Sequence, residues 1–167
     1  MKRNKIIIVI VILSLIWIMG CIYTNIKFPK ANIRECNINE TIENEGLSFT
    51  AIDFIVTEGE EDSTLGRSKS YKVELKIKNT SSDVRKIDLI KFRLTRLDYS
   101  NGPRLEVFLD INDDVDTRLE PNEEVTLYLP FTVHECSFTK QQWEKIDESN
   151  WKLLLNLYPD KVRINLN

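Results

Sequence analysis

Tyr71-Lys72-Val73-Glu74-Leu75-Lys76-Ile77-Lys78 alternates four apolar side chains with four charged ones. Successive side chains on a strand point to opposite faces, so this octet is a β-strand with one buried and one wet face. Antiparallel sheets tolerate that asymmetry, and parallel sheets rarely do. Asn79-Thr80-Ser81-Ser82-Asp83 then turns the chain. Upstream, Leu47-Ser48-Phe49 and Ile52-Asp53-Phe54-Ile55-Val56 read as one strand whose alternation slips phase near Ala51, the mark of a bulge.

Downstream the same period recurs. Ile87-Asp88-Leu89 and Ile90-Lys91-Phe92-Arg93-Leu94 alternate with a slip at Leu89-Ile90, again read as a bulge. Ser100-Asn101-Gly102-Pro103 reads as a turn and Leu105–Leu109 as a further strand. Val125, Leu127, Leu129, Phe131 and Val133 alternate across Pro130, which cannot donate to a ladder, so this strand belongs at an edge or breaks there. Trp151–Leu157 and Val162–Leu166 close the series, joined by Tyr158-Pro159-Asp160-Lys161. One helix is expected near residues 139–148: Ser137 or Thr139 can cap it, and Gln142 completes a capping box with Thr139. Trp143 and Ile146, at i and i+3, supply its buried side. About seven or eight strands with one short helix describe an all-β antiparallel sandwich.

The beginning of the chain is of another kind. Lys2, Arg3 and Lys5 precede Ile6–Ile26, 21 residues without a charge, which as a helix rising ~1.5 Å per residue can cross a hydrocarbon core of roughly 30 Å. Small residues of a secretory cleavage site are missing from Ile18-Met19-Gly20-Cys21-Ile22-Tyr23. A lipoprotein signal would end at an acylated cysteine, and Gly20-Cys21 fits loosely, with Met19 bulky for its place. The expectation is an uncleaved signal-anchor over residues 1–26, with Tyr23 as interface aromatic; acylation at Cys21 is the alternative. Lys27, Lys30 and Arg34 weaken the positive-inside contrast, and the short N-terminal tail sets the orientation: N-terminus inside, domain outside. Residues 27–40 then read as extended linker and first strand, and 41–167 as the sandwich.

Without the three leading basic residues, 20 Lys+Arg face 26 Asp+Glu, a net charge of −6. That argues against nucleic acid or an anionic membrane surface as a partner. About 140 residues is one domain with a core of its own. Cys36 and Cys136 are the two cysteines outside the apolar segment. A disulfide between them would close a loop of about 100 residues and stabilise by roughly 4–5 kcal/mol in the chain-entropy view; two unpaired thiols are the alternative.

Several stretches in order carry a family resemblance: the charged start and apolar helix, Phe28-Pro29-Lys30, Asn44-Glu45-Gly46-Leu47, Val73-x-Leu75-x-Ile77-Lys78-Asn79-Thr80, Leu119-Glu120-Pro121-Asn122-Glu123 and Leu129-Pro130-Phe131. With these the chain resembles uncharacterised membrane-anchored proteins of Gram-positive bacteria that carry a single immunoglobulin-like, telokin-like domain. The resemblance implies an immunoglobulin-like sandwich outside the cell membrane and no assigned chemistry. Asn122 stands where such chains usually have glycine, and asparagine tolerates the left-handed backbone that the turn needs.

Residues with catalytic potential are few. His134 is the one histidine, and in a continuing strand it would share a face with Cys136 while Glu135 faces away. A Cys–His pair also needs an orienting group and an oxyanion site, and neither has a signature here. Asp110, Asn112, Asp114 and Asp116 alternate oxygen ligands as Ca²⁺ prefers, but an EF-hand needs glycine and glutamate where Val115 and Pro121 stand. The expectation is a solvated acidic loop, with calcium as the weaker reading. Glu58-Gly59-Glu60-Glu61-Asp62 reads as an exposed loop. The chain is thus expected to be a non-catalytic, cofactor-free binding or accessory module, tethered by residues 6–26, with an envelope protein or glycan as partner; an anchored enzyme is the minor alternative.

Overall fold

A computed structural model describes residues 2–28, 32–148, 150–158 and 160–166; Pro29, Lys30 and Pro159, used in the sequence reading, lie outside them. The chain divides into two compact units, residues 1–32 and 33–167. The first carries helix α1 (Lys2–Lys27). The second holds β1 (Asn32–Asn37, its first residue excepted), β2 (Thr41–Asn44), β3 (Leu47–Glu58), β4 (Ser68–Asn79), β5 (Arg85–Lys86), β6 (Arg93–Arg96), β7 (Tyr99–Asn101), α2 (Leu105–Ile111), β8 (Arg118–Leu119), β9 (Glu124–His134), α3 (Lys140–Glu144), β10 (Lys152–Asn156) and β11 (Asp160–Asn165).

Two sheets make the sandwich, ordered β2-β3-β4-β9 and β1-β11-β10-β6-β7, with β5 and β8 paired as a short ribbon. β4 is central, and Tyr71, Val73, Leu75 and Ile77 are all buried, as their alternation dictates. Leu127, Leu129, Phe131 and Val133 of β9 join them, and Leu94, Leu153, Leu155, Val162 and Ile164 face them from the second sheet. Phe49 meets Phe92 edge-on (centroids 6.1 Å apart) at one end of this core, and Tyr71 meets Trp151 (4.9 Å) at the other. The β3 register shifts between Ala51 and Asp53, where the alternation slips. β9 is an edge strand, as Pro130 requires. The β2–β3 hairpin turns through Glu45-Gly46 with both φ positive, 52° and 77°, the twist a two-residue hairpin favours. A Cβ on Gly46 would meet the Ser81 Cβ at 3.1 Å. Asn122 takes φ 66°, as expected for a glycine substitute.

Three segments depart from the sequence reading. Leu105–Leu109 is not a strand but part of α2: Leu105, Phe108 and Leu109 satisfy helical spacing as well as an interrupted alternation. The turn placed at Ser100–Pro103 lies earlier, at Leu97-Asp98, and Tyr99–Asn101 pairs with β6. The slip at Leu89-Ile90 is a 3₁₀ turn over Leu89–Lys91, capped by Asp88 accepting the Ile90 N–H, rather than a bulge. α3 begins with the expected capping box of Thr139 and Gln142 but stops at Glu144.

Glu35 pairs with Arg163 and Asn37 with Asn165, partners that advance together, so β1 runs parallel to β11. The chain therefore enters the sandwich beside the β10–β11 hairpin tip. This end, with Leu157, Tyr158, the Leu89–Lys91 turn and the Glu45-Gly46 turn, is the proximal end. The distal end carries the β6–β7 turn, α3 and the start of β4.

Candidate functional site

The residues that drew attention in sequence do not converge. β9 stops at His134, and Glu135–Ser137 form a 3₁₀ turn, so the two-residue alternation that would align His134 with Cys136 ends there. The Glu135 carboxylate is gripped by Arg67 through two bonds of 3.0 Å, which hold its pKa below the usual glutamate value. Cys36 and Cys136 are both free thiols. Of the two alternatives the free thiols hold, because Cys36 sits on β1, beside β2 at one flank of the sandwich, and Cys136 follows β9, beside β7 at the other. Burial, then nearby Glu40, pushes the Cys36 thiol up in pKa, away from reactivity.

The calcium reading of Asp110, Asn112, Asp114 and Asp116 is corrected by Asn112. Its side chain is buried, donating to the Phe108 and Tyr128 carbonyls (2.9 Å each) and accepting the Tyr128 N–H (2.8 Å). A buried amide whose two N–H donors and oxygen are all bonded to the fold is turned inward, away from a row of exposed cation ligands. Asp116 accepts the Arg118 N–H, closing a local turn. Among the described residues no three of His, Cys, Asp or Glu gather as a metal would require. Cys21 lies inside α1, its carbonyl accepting from Asn25. Ile10–Lys27 of this helix is apolar and unburied, long enough for one membrane span or a signal.

The same Asn112 bracket builds the main apolar concavity. α2 lies along the edge strand β9: the Arg104 N–H at its start donates to the Pro130 carbonyl (2.8 Å), and Asn112 at its end grips Tyr128. A helix laid this way covers backbone groups that an open edge would expose. Between α2 and the Leu89–Lys91 turn runs a groove of about 1070 Å³. Ile87, Leu89, Phe108 and Val115 form its floor, and Ile90, Leu105 and Leu109 its exposed rim, with Lys86, Lys91, Asp113 and Asp116 at its margins. A concavity with this floor and rim suits an apolar ligand. Sequence reasoning missed it because its walls come from segments 86–91 and 105–117. The available signal was Ile90 and Leu109, large apolar residues that no strand face needed.

A second, smaller concavity of about 650 Å³ covers the outer face of the five-stranded sheet. Arg96, Lys145, Lys152, Lys161 and Arg163 line it with Asp98 and Glu148, over Leu154. Lys152 and Arg163 share the Glu35 carboxylate. Burial pushes the Glu35 pKa up, and these two cations more than offset it, leaving it low.

Residues 38–162 match a family described as a domain of unknown function, DUF5028, and the chain belongs to it. No curated protein matches. A conserved hypothetical protein from Bacillus anthracis is 15% identical, with TM-score 0.52 over 75% of this chain and 93% of that one. An uncharacterised β-sandwich protein from Clostridium difficile 630 is 14% identical, with TM-score 0.48 over 83% and 97%.

Proposed function

We propose that this member of the family is a membrane-anchored extracytoplasmic module, telokin-like in kind, that binds or assists a partner at the cell envelope and is not an enzyme. The observation that carries the reading is α1: 26 residues of helix whose apolar side chains, Trp17, Met19 and Ile26 among them, are exposed. Exposing that much apolar surface to water is costly, and a bilayer removes the cost. The non-catalytic part is supported by Glu135 and Asn112, whose polar groups are committed to holding the fold. The partner beyond the membrane is an envelope protein or glycan.

The test uses exposed Cys136. In intact cells a membrane-impermeant maleimide should label it in a Cys21→Ser, Cys36→Ser background, and the chain should stay with the membrane through carbonate extraction. Labelling only after lysis, or release by carbonate, would overturn the reading. A second reading, acylation at Cys21, is favoured by Gly20 before it; palmitate incorporation lost in Cys21→Ser would establish it and retain the outside location.

A further inference from the structure

We propose that the proximal end of the sandwich is itself a lipid-contacting face that seats the domain on the surface of the bilayer in which α1 is anchored. The inference rests on the anchor reading above and adds a second membrane contact to it. Among the described residues of 33–167, the large apolar side chains at least half exposed are Ile33 (54%), Ile90 (69%), Leu97 (85%), Leu109 (66%), Leu157 (61%) and Tyr158 (50%). A single exposed leucine needs no explanation, but a cluster does. Leu97 stands alone in the β6–β7 turn at the distal end. The other five lie at or beside the proximal end. Leu157 and Tyr158 are the tip of the β10–β11 hairpin. Ile33 lies on β1, which runs parallel to the neighbouring β11. Ile90 projects from the turn just before β6, and Leu109 stands across the groove from it.

The chemistry suits a lipid surface. Lys86, Lys91 and Lys161 border this apolar end, and long cationic side chains can bury their stems while their heads meet anionic headgroups. Tyr158 has the amphipathic ring favoured at the headgroup level. Of the acidic groups at this end, Glu45 holds Lys91 at 3.0 Å, Asp88 caps the 3₁₀ turn and Asp116 accepts the Arg118 N–H. Asp113 and Asp160 add negative charge beside the lysines, so the attraction to headgroups is local and works against a domain net charge of −6. Connectivity argues for the bilayer over other occupants. Four residues separate Lys27 from Asn32, and five Cα–Cα steps reach at most about 18 Å.

The experiment uses the full chain with its three cysteines changed to serine, reconstituted in phosphatidylcholine–phosphatidylglycerol vesicles. An environment-sensitive nitrobenzoxadiazole label is placed on Leu157→Cys, with Ile90→Cys as a second reporter should the first fail to fold. Leu97→Cys marks the distal end and Leu13→Cys the helix. Emission at 157 should shift to the blue, and brominated lipids should quench it several-fold more than at 97. Quenching at 157 no greater than at 97, with 13 strongly quenched, would overturn the lipid face and leave the anchor standing. A blue shift at 157 without lipid quenching would also overturn it, showing a protein surface, such as a second copy, covering this end. Absence of quenching at 13 would bring down the anchor reading itself.

Discussion

The two ends of the sandwich are closed by different physics. At the distal end Lys69, only 9% exposed, reaches Glu58 at 2.9 Å and Asp147 at 2.7 Å. Arg67 forks onto Glu135 and lies over the Trp143 ring at 5.9 Å. Asp62 accepts the Thr64 and Leu65 N–H groups, which hold its pKa low. Each of these charges finds its partner inside the molecule. At the proximal end Ile90, Leu109, Leu157 and Tyr158 are presented to the surroundings. An end whose charges are paired internally needs no further partner for them in water, whereas exposed apolar surface gains only when something covers it. The contrast is why the proximal end carries the functional inference.

The comparison breaks most visibly if the distal plug is removed. Trp151→Ala empties a fully buried site packed on Tyr71 and Tyr99 and should cost about 3–5 kcal/mol in urea unfolding. Next, Asn112→Ala removes the bracket under the groove. It leaves the Tyr128 N–H and the Tyr128 carbonyl without their partner, the Phe108 carbonyl keeping the backbone N–H of residue 112, a loss of about 2–3 kcal/mol. Asn112→Asp should not restore it, since a carboxylate cannot donate to those carbonyls. A chelator should leave the melting temperature of the unaltered chain in place.

Smaller is the acid response of the distal clasp. Arg67 holds the Glu135 pKa below its ordinary 4.5, so its contribution is complete above that pH and lost as pH falls through the lower folded value. Denaturation midpoints followed from pH 6 to pH 3 should fall, and fall less in Glu135→Gln. Smallest for stability is Leu157→Ser at the proximal tip, expected within about 0.5 kcal/mol because the side chain is already solvated. A large destabilisation there would mean the tip belongs to the core, and the contrast between the ends would collapse.

The legible parts of this fold share one property: their determinants are local. The β4 alternation, the slip at Ala51, the proline edge in β9 and the Thr139–Gln142 box each act within a few residues. Leu105–Leu109 fits both periods, and the choice went to the helix because Arg104 and Asn112 dock its two ends on β9. The early turn at Leu97 escaped because Asn101 is held from outside its own segment, donating to the Thr132 carbonyl at 2.7 Å.

Composition and periodicity alone establish a charge-free helix able to cross a membrane and an acidic, one-sided antiparallel sandwich after it. Both follow from hydrophobic patterning over short windows. They do not reveal that the acidic stretch is a helix cap with a buried asparagine, that the two cysteines of the sandwich lie at opposite flanks, or that exposed apolar residues from four segments lie at or beside one end. Those facts depend on which strands become neighbours, and strand order is settled by contacts across the whole chain rather than within any stretch of it.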